Sequence, residues 1–441
     1  MSSNATNRRI DIAGLTAKNV TPTQHGSVRF AAQVAPGATN RHMRATMSLL
    51  DPAPDAAARD RAARAAAPLA LYIHWPFCVS KCPYCDFNSH VRATVDEAQW
   101  HDALLADLAH EIALMPGRRL GSIFFGGGTP SLMPPATVAA LIDAATTAWT
   151  PVGDVEITLE ANPSSVEAAR FADLAAAGVN RVSLGLQALD DDALRFLGRA
   201  HDVGEGLGAL DVAQANFARV SFDLIYARPG QSLEAWDAEL ARALAFGTEH
   251  LSLYQLTIEP GTRFATEAAA GRLTIPDGDD AADLFELTRA RTAAAGLPAY
   301  EISNHARPGA ESRHNLAYWR YRDYAGVGPG AHGRRDHLAT FRRKKPENWL
   351  AAVARNGHGI ESEEPLDAAT RVGEALLMGL RLREGVDVEA IAAAGGMRVE
   401  QIVDLPAIAA LPDLIVRDGA RLRVTDAGMI LLDAILPKVV R

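Results

Sequence analysis

The stretch LYIHWPFCVSKCPYCDFNSH, residues 71–90, runs from an apolar, strand-like segment into Cys78, Cys82 and Cys85, spaced C-x3-C-x2-C. These three are the only cysteines among 441 residues. An odd number packed into eight positions cannot build a disulfide framework, because pairing such close neighbours would close small, strained loops. A metal centre in a reducing compartment fits better. Three thiolates can hold three irons of a 4Fe–4S cluster and leave the fourth iron open to a substrate or cofactor. Zinc is the alternative reading, with His74 or His90 as the fourth ligand that a closed site needs.

Outward from this stretch, a short apolar run, a turn and an amphipathic helix recur about every 30–40 residues. The runs cover 69–75, 121–128, 154–163, 181–187, 219–230 and 250–261. Helical segments lie between them at 97–115, 134–148, 165–177, 190–197 with 204–216, and 233–246. This alternation predicts an α/β fold, a partial (β/α)6 barrel of parallel strands with helices outside. Chemistry in such folds sits at the carboxyl ends of the strands. Gly126-Gly127-Gly128-Thr129-Pro130 follows the second run, Glu160 and Gln187 end the third and fourth, and Asp223 lies within the fifth.

Composition bounds the rest. Apolar residues make up 48% of the chain and charged residues 22%, enough for a sizeable core. No apolar run approaches the roughly 20 residues of a membrane span. The formal charge of −9 argues against binding nucleic acid through the overall field. Residues 1–68 differ, with nine Lys or Arg against four Asp and no sustained period. They read as a disordered extension with a short helix near 56–67; an organellar transit peptide and a later start at Met43 or Met47 are the other readings.

Residues 69–300 thus read as the barrel, 301–365 as a connecting region dense in aromatics, His and Gly, and 366–441 as a separate unit. The last reads as helices, a hairpin turning at Asp418-Gly419 and a final helix from Asp426, a small winged-helix-like α+β domain. Acidic residues interrupt its basic positions, so a packing or partner surface is expected rather than a DNA-binding one.

With Tyr84 before the last cysteine and the glycine turn after the second strand, the chain resembles the radical S-adenosylmethionine superfamily, in its oxygen-independent coproporphyrinogen III oxidase-like branch. The resemblance runs from about residue 69 to the C-terminus and implies a cluster bound by Cys78, Cys82 and Cys85. In that superfamily the open iron chelates S-adenosylmethionine, and the reduced cluster cleaves it to a 5′-deoxyadenosyl radical. Gly126, Gly127, Gly128 and Thr129 match the turn that approaches the methionine moiety. Tyr72, Glu160, Gln187, Arg199 and Asp223 match positions that hold the rest of S-adenosylmethionine.

The branch contains a coproporphyrinogen dehydrogenase and a group of heme chaperones. The dehydrogenase motif continues to a fourth cysteine, where this chain has Phe87. His314-Asn315-Leu316-Ala317-Tyr318-Trp319 matches the H-N-x-x-Y-W motif associated with heme in the chaperone group. Imidazole is a common axial ligand, and Tyr318 and Trp319 offer flat apolar area. His305 and His332 are nearby alternatives, the latter in a Gly-rich turn that suits a structural role. The resemblance therefore implies a cytoplasmic carrier of heme, with apo-hemoproteins, membrane-bound respiratory subunits or bacterioferritin-like heme donors as partners. Peripheral membrane contact and a homodimer fall within the same expectation. No residue marks a substrate to be oxidised, so dehydrogenase activity is not expected.

Overall fold

The computed structural model describes Arg64 and residues 66–441. The extension expected over 1–68, with its helix near 56–67, lies almost wholly outside them. The strands are β1 (Leu69–Trp75), β2 (Phe77–Cys78), β3 (His90–Val91), β4 (Arg119–Gly127), β5 (Thr150–Ala161), β6 (Arg181–Gln187), β7 (Arg219–Tyr226), β8 (His250–Gln255) and β9 (Asn304–Ala306). They continue as β10 (Tyr324–Val327), β11 (His332–Arg335), β12 (Leu338–Arg342), β13 (Ile360–Pro365), β14 (Val386–Asp387), β15 (Ile415–Asp418) and β16 (Arg421–Val424).

One eleven-stranded sheet has the order β13-β12-β11-β10-β1-β4-β5-β6-β7-β8-β9. Every pairing from β10 through β8 is parallel. The six expected strands are all there, and β10 adds a seventh beside β1. Residues 304–365, expected only as a connection, thus continue the barrel sheet through β9 to β13.

Local chemistry starts five of the covering helices. Asp96, Ser164, Asp190, Asp202 and Ser232 each accept a backbone N–H three residues on, satisfying donors that the helix itself leaves open. Strand alternation then sorts the side chains. Leu69, Leu71, Ile73 and Trp75 of β1 join the core with Trp100, Leu104 and Leu108 of the helix Glu97–Leu114. The alternate residues face the lumen and are mostly polar: Tyr72 and His74, Ser122, Glu156 and Glu160, Ser183 and Gln187, Asp223, Ser252. Parallel strands covered on both sides are usually apolar throughout, so this polar inner row marks a working interior.

The C-terminal residues form a second core, with Leu376, Val388, Ile402, Leu422 and Val439 among its members. The sheet β14-β16-β15 carries the expected hairpin, with Gly419 at φ +57° in its turn. This unit is tied to the barrel side by Arg320–Glu384 at 2.7 Å and by the Tyr321 hydroxyl donating to Glu374 at 2.5 Å. Among the described residues, no helix is long and apolar enough to cross a membrane.

Candidate functional site

The cysteine loop leaves the carboxyl end of β1 and is closed by the two-residue parallel pair β2–β3, with Phe77 opposite His90 and Cys78 opposite Val91. A turn bond from the Cys85 N–H to the Cys82 carbonyl at 3.2 Å shapes its middle. All three thiols are half-buried. Burial pushes Cys85 up to about 11, with the nearby Cys82 and Cys78 adding to the effect, and it raises Cys78 as well. Cys78 and Cys85, each more costly to ionise beside Cys82, are part of a site whose charge a metal centre would compensate.

The zinc alternative loses support from its fourth ligand. His74 is held at both ring nitrogens, by the Tyr72 hydroxyl at 2.9 Å and by the Asn88 carbonyl at 3.0 Å. His90 bonds Asn88 and pairs along the strand with Phe77, not Cys78. Among the described residues, no three His, Cys, Asp or Glu side chains are gathered closely enough for one ion. A cluster with one thiolate per iron spreads its ligands more widely than a single ion does.

The glycine turn is fitted against this loop. Its Gly128 N–H donates to the Trp75 carbonyl at 2.7 Å, and the Thr129 N–H donates to Phe77 at 2.8 Å. A Cβ on Gly128 would lie 2.6 Å from the Phe77 carbonyl oxygen, and one on Gly127 would lie 2.8 Å from that of Trp75. Gly127 also sits at φ +117° and donates its N–H to Glu160 Oε2 at 3.2 Å. Only a chain without side chains here can bring backbone donors to the mouth.

Arg199 lies where the strand ends converge. Its Nη1 donates to Cys82 Sγ at 3.5 Å, and Nη2 donates to Asn162 Oδ1 at 2.6 Å and to the Gly185 carbonyl at 2.9 Å. Its Nε is buried without a partner, an open donor suited to a carboxylate. Gln187, at φ +68°, turns the end of β6 inward. Asp223 accepts from Ser183 at 3.1 Å, and Tyr72 is pushed well above the usual tyrosine range by burial and then by Glu160.

Gly127, Gly128, Thr129, Glu160, Gln187 and Arg199 therefore share the strand-end side of the lumen with the cysteines, while Tyr72 and Asp223 lie further down their strands. The orphaned Arg199 Nε and the glycine cradle fit an amino-acid cofactor beside a cluster. Sequence reasoning missed Asn162, two residues beyond Glu160. It also missed Tyr254, raised by burial and then by Asp223, Glu301 and Glu160 around it.

The H-N-x-x-Y-W segment lies at the other end. It is the helix Arg313–Trp319, capped by Ser312 and held by Glu156, which accepts the Arg313 N–H at 2.8 Å and pairs with the buried Arg181 at 3.1 Å. His314 is 1% exposed. Its Nδ1 lies 3.3 Å from the Ser122 hydroxyl and its Nε2 lies 2.8 Å from that of Tyr318. Its ring stacks on Phe124 at 4.8 Å and lies 6.2 Å from Tyr72. In this conformation both nitrogens are occupied and the ring is a floor tile of the lumen, so presenting the imidazole to heme requires His314 to leave these partners. Tyr318 and Trp319 are half-buried on the same helix. His305 is buried against Thr292 at 2.8 Å, and His332 packs edge-on against Phe341.

Comparison with known proteins follows this geometry. Residues 72–243 match the Radical SAM superfamily and residues 366–431 match the HemN C-terminal domain. The heme chaperone HemW of Escherichia coli is 40% identical over 84% of this chain and 97% of the relative. HemW of Mycobacterium tuberculosis is 37% identical over 84% of this chain and 94% of the relative. Radical S-adenosyl methionine domain-containing protein 1, mitochondrial, of Bos taurus is 43% identical over 72% of this chain and 74% of that relative. The solved structure of coproporphyrinogen III oxidase (HemN) from Escherichia coli superposes with a TM-score of 0.71 at 24% identity, over 84% of this chain and 89% of that one, a likeness of fold. The chain belongs to the radical SAM superfamily and, within it, to the family of the heme chaperone HemW.

Proposed function

We propose that this protein is a heme chaperone, which binds heme together with a 4Fe–4S cluster and S-adenosylmethionine and passes heme to apo-hemoproteins. The observation that carries the reading is Phe87 at the place of a fourth cysteine, in a chain whose H-N-x-x-Y-W helix closes the floor of the same lumen. The superfamily implies the cluster and S-adenosylmethionine. When bound, they supply one-electron chemistry at the sulfonium.

The chain's own residues have the following roles in this reading. Cys78, Cys82 and Cys85 hold the cluster. Gly127, Gly128 and Thr129 line the methionine moiety, and Arg199 takes its carboxylate through Nε. Glu160, Gln187, Asp223 and Tyr72 position the remainder. Residues 69–300 carry this mouth, 301–365 the heme element, and 366–441 a packing domain. Heme binds at the helix of residues 313–319 once His314 leaves Ser122 and Tyr318. Its acceptors are apo-hemoproteins, including membrane-bound respiratory subunits, with bacterioferritin-like proteins as donors; the carrier is cytoplasmic, touches the membrane peripherally and forms a homodimer.

Anaerobic reconstitution followed by heme titration tests the reading. A brown cluster absorbance lost in Cys82→Ala, with a Soret shift on adding heme, is expected; a cluster retained in Cys82→Ala would remove the ligand assignment. Rescue of a strain without coproporphyrinogen oxidases would reverse the choice in favour of the dehydrogenase.

A further inference from the structure

All three cysteine sulfurs have a hydrogen-bond contact, Cys85 Sγ with the Ser89 hydroxyl at 3.9 Å, and the donors to the other two are oriented by one side chain. Thr129 donates its hydroxyl to Cys78 Sγ at 3.5 Å, and Arg199 Nη1 donates to Cys82 Sγ at 3.5 Å. Between them stands Asn162. Its Nδ2 donates to Thr129 Oγ1 at 3.0 Å, while its Oδ1 accepts from Arg199 Nη2 at 2.6 Å. The backbone that carries this amide is itself fixed, because the main-chain N–H of Asn162 donates to Glu167 Oε2 at 2.8 Å, and the buried Glu167 is held by the Ser131 hydroxyl.

The polarity of this chain of bonds is determined. A threonine hydroxyl has one proton to give. Because Asn162 fills an acceptor position on Thr129 with its own N–H, the single Thr129 proton is directed at Cys78. The opposite end of the same amide has only acceptor capacity, so it holds a guanidinium rather than a carboxylate. Gly185 leaves room for that guanidinium: a Cβ there would lie 3.3 Å from Arg199 Nη2.

We propose that Asn162 is a positioning residue which sets the reduction potential of the cluster, by aiming the Thr129 hydroxyl at Cys78 and the Arg199 guanidinium at Cys82. The inference rests on the cysteine assignment of the preceding section. Hydrogen bonds to cysteinyl sulfur stabilise the more negative, reduced cluster and raise its potential. Losing them makes the cluster harder to reduce.

The test is an EPR-monitored redox titration of the full-length, anaerobically reconstituted protein, alongside its iron content. Asn162→Asp keeps an acceptor for Arg199 but cannot donate to Thr129, whose proton then turns toward the new carboxylate. Its midpoint is expected to be more negative than wild type at unchanged iron content. Thr129→Val should shift the same way, and Thr129→Ser should restore the wild-type value. An unchanged midpoint in Asn162→Asp and Thr129→Val, with the cluster intact, would overturn the proposal. Should Asn162→Asp not fold, the Thr129→Val and Thr129→Ser pair decides. A wild type that takes up no cluster is a different result, overturning the cysteine assignment beneath it.

Discussion

His314 and Tyr318, one helical turn apart, close on each other with the imidazole Nε2 2.8 Å from the phenol oxygen, beneath Phe124 and Tyr72 at the base of the lumen. The motif that the sequence marks for heme is in this conformation a latch. Releasing the imidazole means giving up this bond and the contact with Ser122 at 3.3 Å. A typical hydrogen bond contributes about 1 kcal/mol, equal to a factor of roughly five in an equilibrium constant. Tyr318→Phe keeps the ring and frees Nε2, so heme affinity followed at the Soret band should rise about fivefold. His314→Ala should alter the Soret spectrum. Unchanged titrations in both variants would place heme elsewhere.

The glycine turn makes a second prediction. Gly128 has no spare space, since an added Cβ meets the Phe77 carbonyl oxygen at 2.6 Å, which is backbone and cannot swing aside. Gly128→Ala should displace the turn from the cysteine loop. Binding of S-adenosylmethionine, measured by calorimetry on the reconstituted protein, should weaken at least about tenfold, as the loss of roughly one charge-assisted contact implies. Wild-type affinity in this variant would mean that the turn does not touch the cofactor.

Asp107 carries a third. Buried in the helix Glu97–Leu114, it accepts from Arg342 at 2.6 Å, from the Gly328 N–H at 3.0 Å and from the Gly359 N–H at 2.9 Å. Arg342 also bonds Glu111 at 2.9 Å, and neither Arg342 nor Asp107 is exposed. Asp107→Ala leaves the buried guanidinium with Glu111 alone and two loop N–H groups without their acceptor. Removing one partner of such a pair costs about 3–5 kcal/mol, which should appear as a large fall in Tm. A fall of only a degree or two would show that the loops before β11 and β13 are held by something else.

These residues also show how far the sequence could be read. The six strands β1, β4, β5, β6, β7 and β8 repeat at regular spacing with turns and helices between, so periodicity found them. β10 is the four-residue stretch YAGV, whose two small residues give no alternation, and its place beside β1 is a long-range pairing that no local pattern encodes. The site divides in the same way. Cysteine spacing and the glycine run are chemically specific and stand out locally, whereas the roles of Glu160 and Arg199 entered only through the resemblance. Asn162 was passed over because one amide after a strand reads as a turn residue until its partners 33 and 37 positions away are known. The packing of His314 was hidden for the opposite reason, since aromatic neighbours look alike in sequence whether they flank a ligand or bury a ring.

The buried histidines give the last prediction, a loss of stability in mild acid. Burial lowers His305 to about 3, and burial with the nearby Arg199 charge lowers His201 to about 4. His250 is likewise pushed well below the usual value, by burial first and then by Arg181. An unfolded histidine titrates near 6.5. Below that pH the unfolded chain therefore binds protons that the folded chain refuses, and stability falls as protons are added. The contribution is complete above about pH 6.5 and is lost progressively toward the folded values near 4 and 3. Between pH 6.5 and 5, each such histidine removes about 2 kcal/mol. Thermal melts at pH 7.5, 6 and 5 should show Tm falling steeply. In His305→Gln, where an uncharged amide can still meet the Thr292 hydroxyl, the dependence should flatten by one histidine's share. A slope identical to wild type would mean that His305 titrates alike in the folded and unfolded chain, and would remove it from the acid-sensitive set.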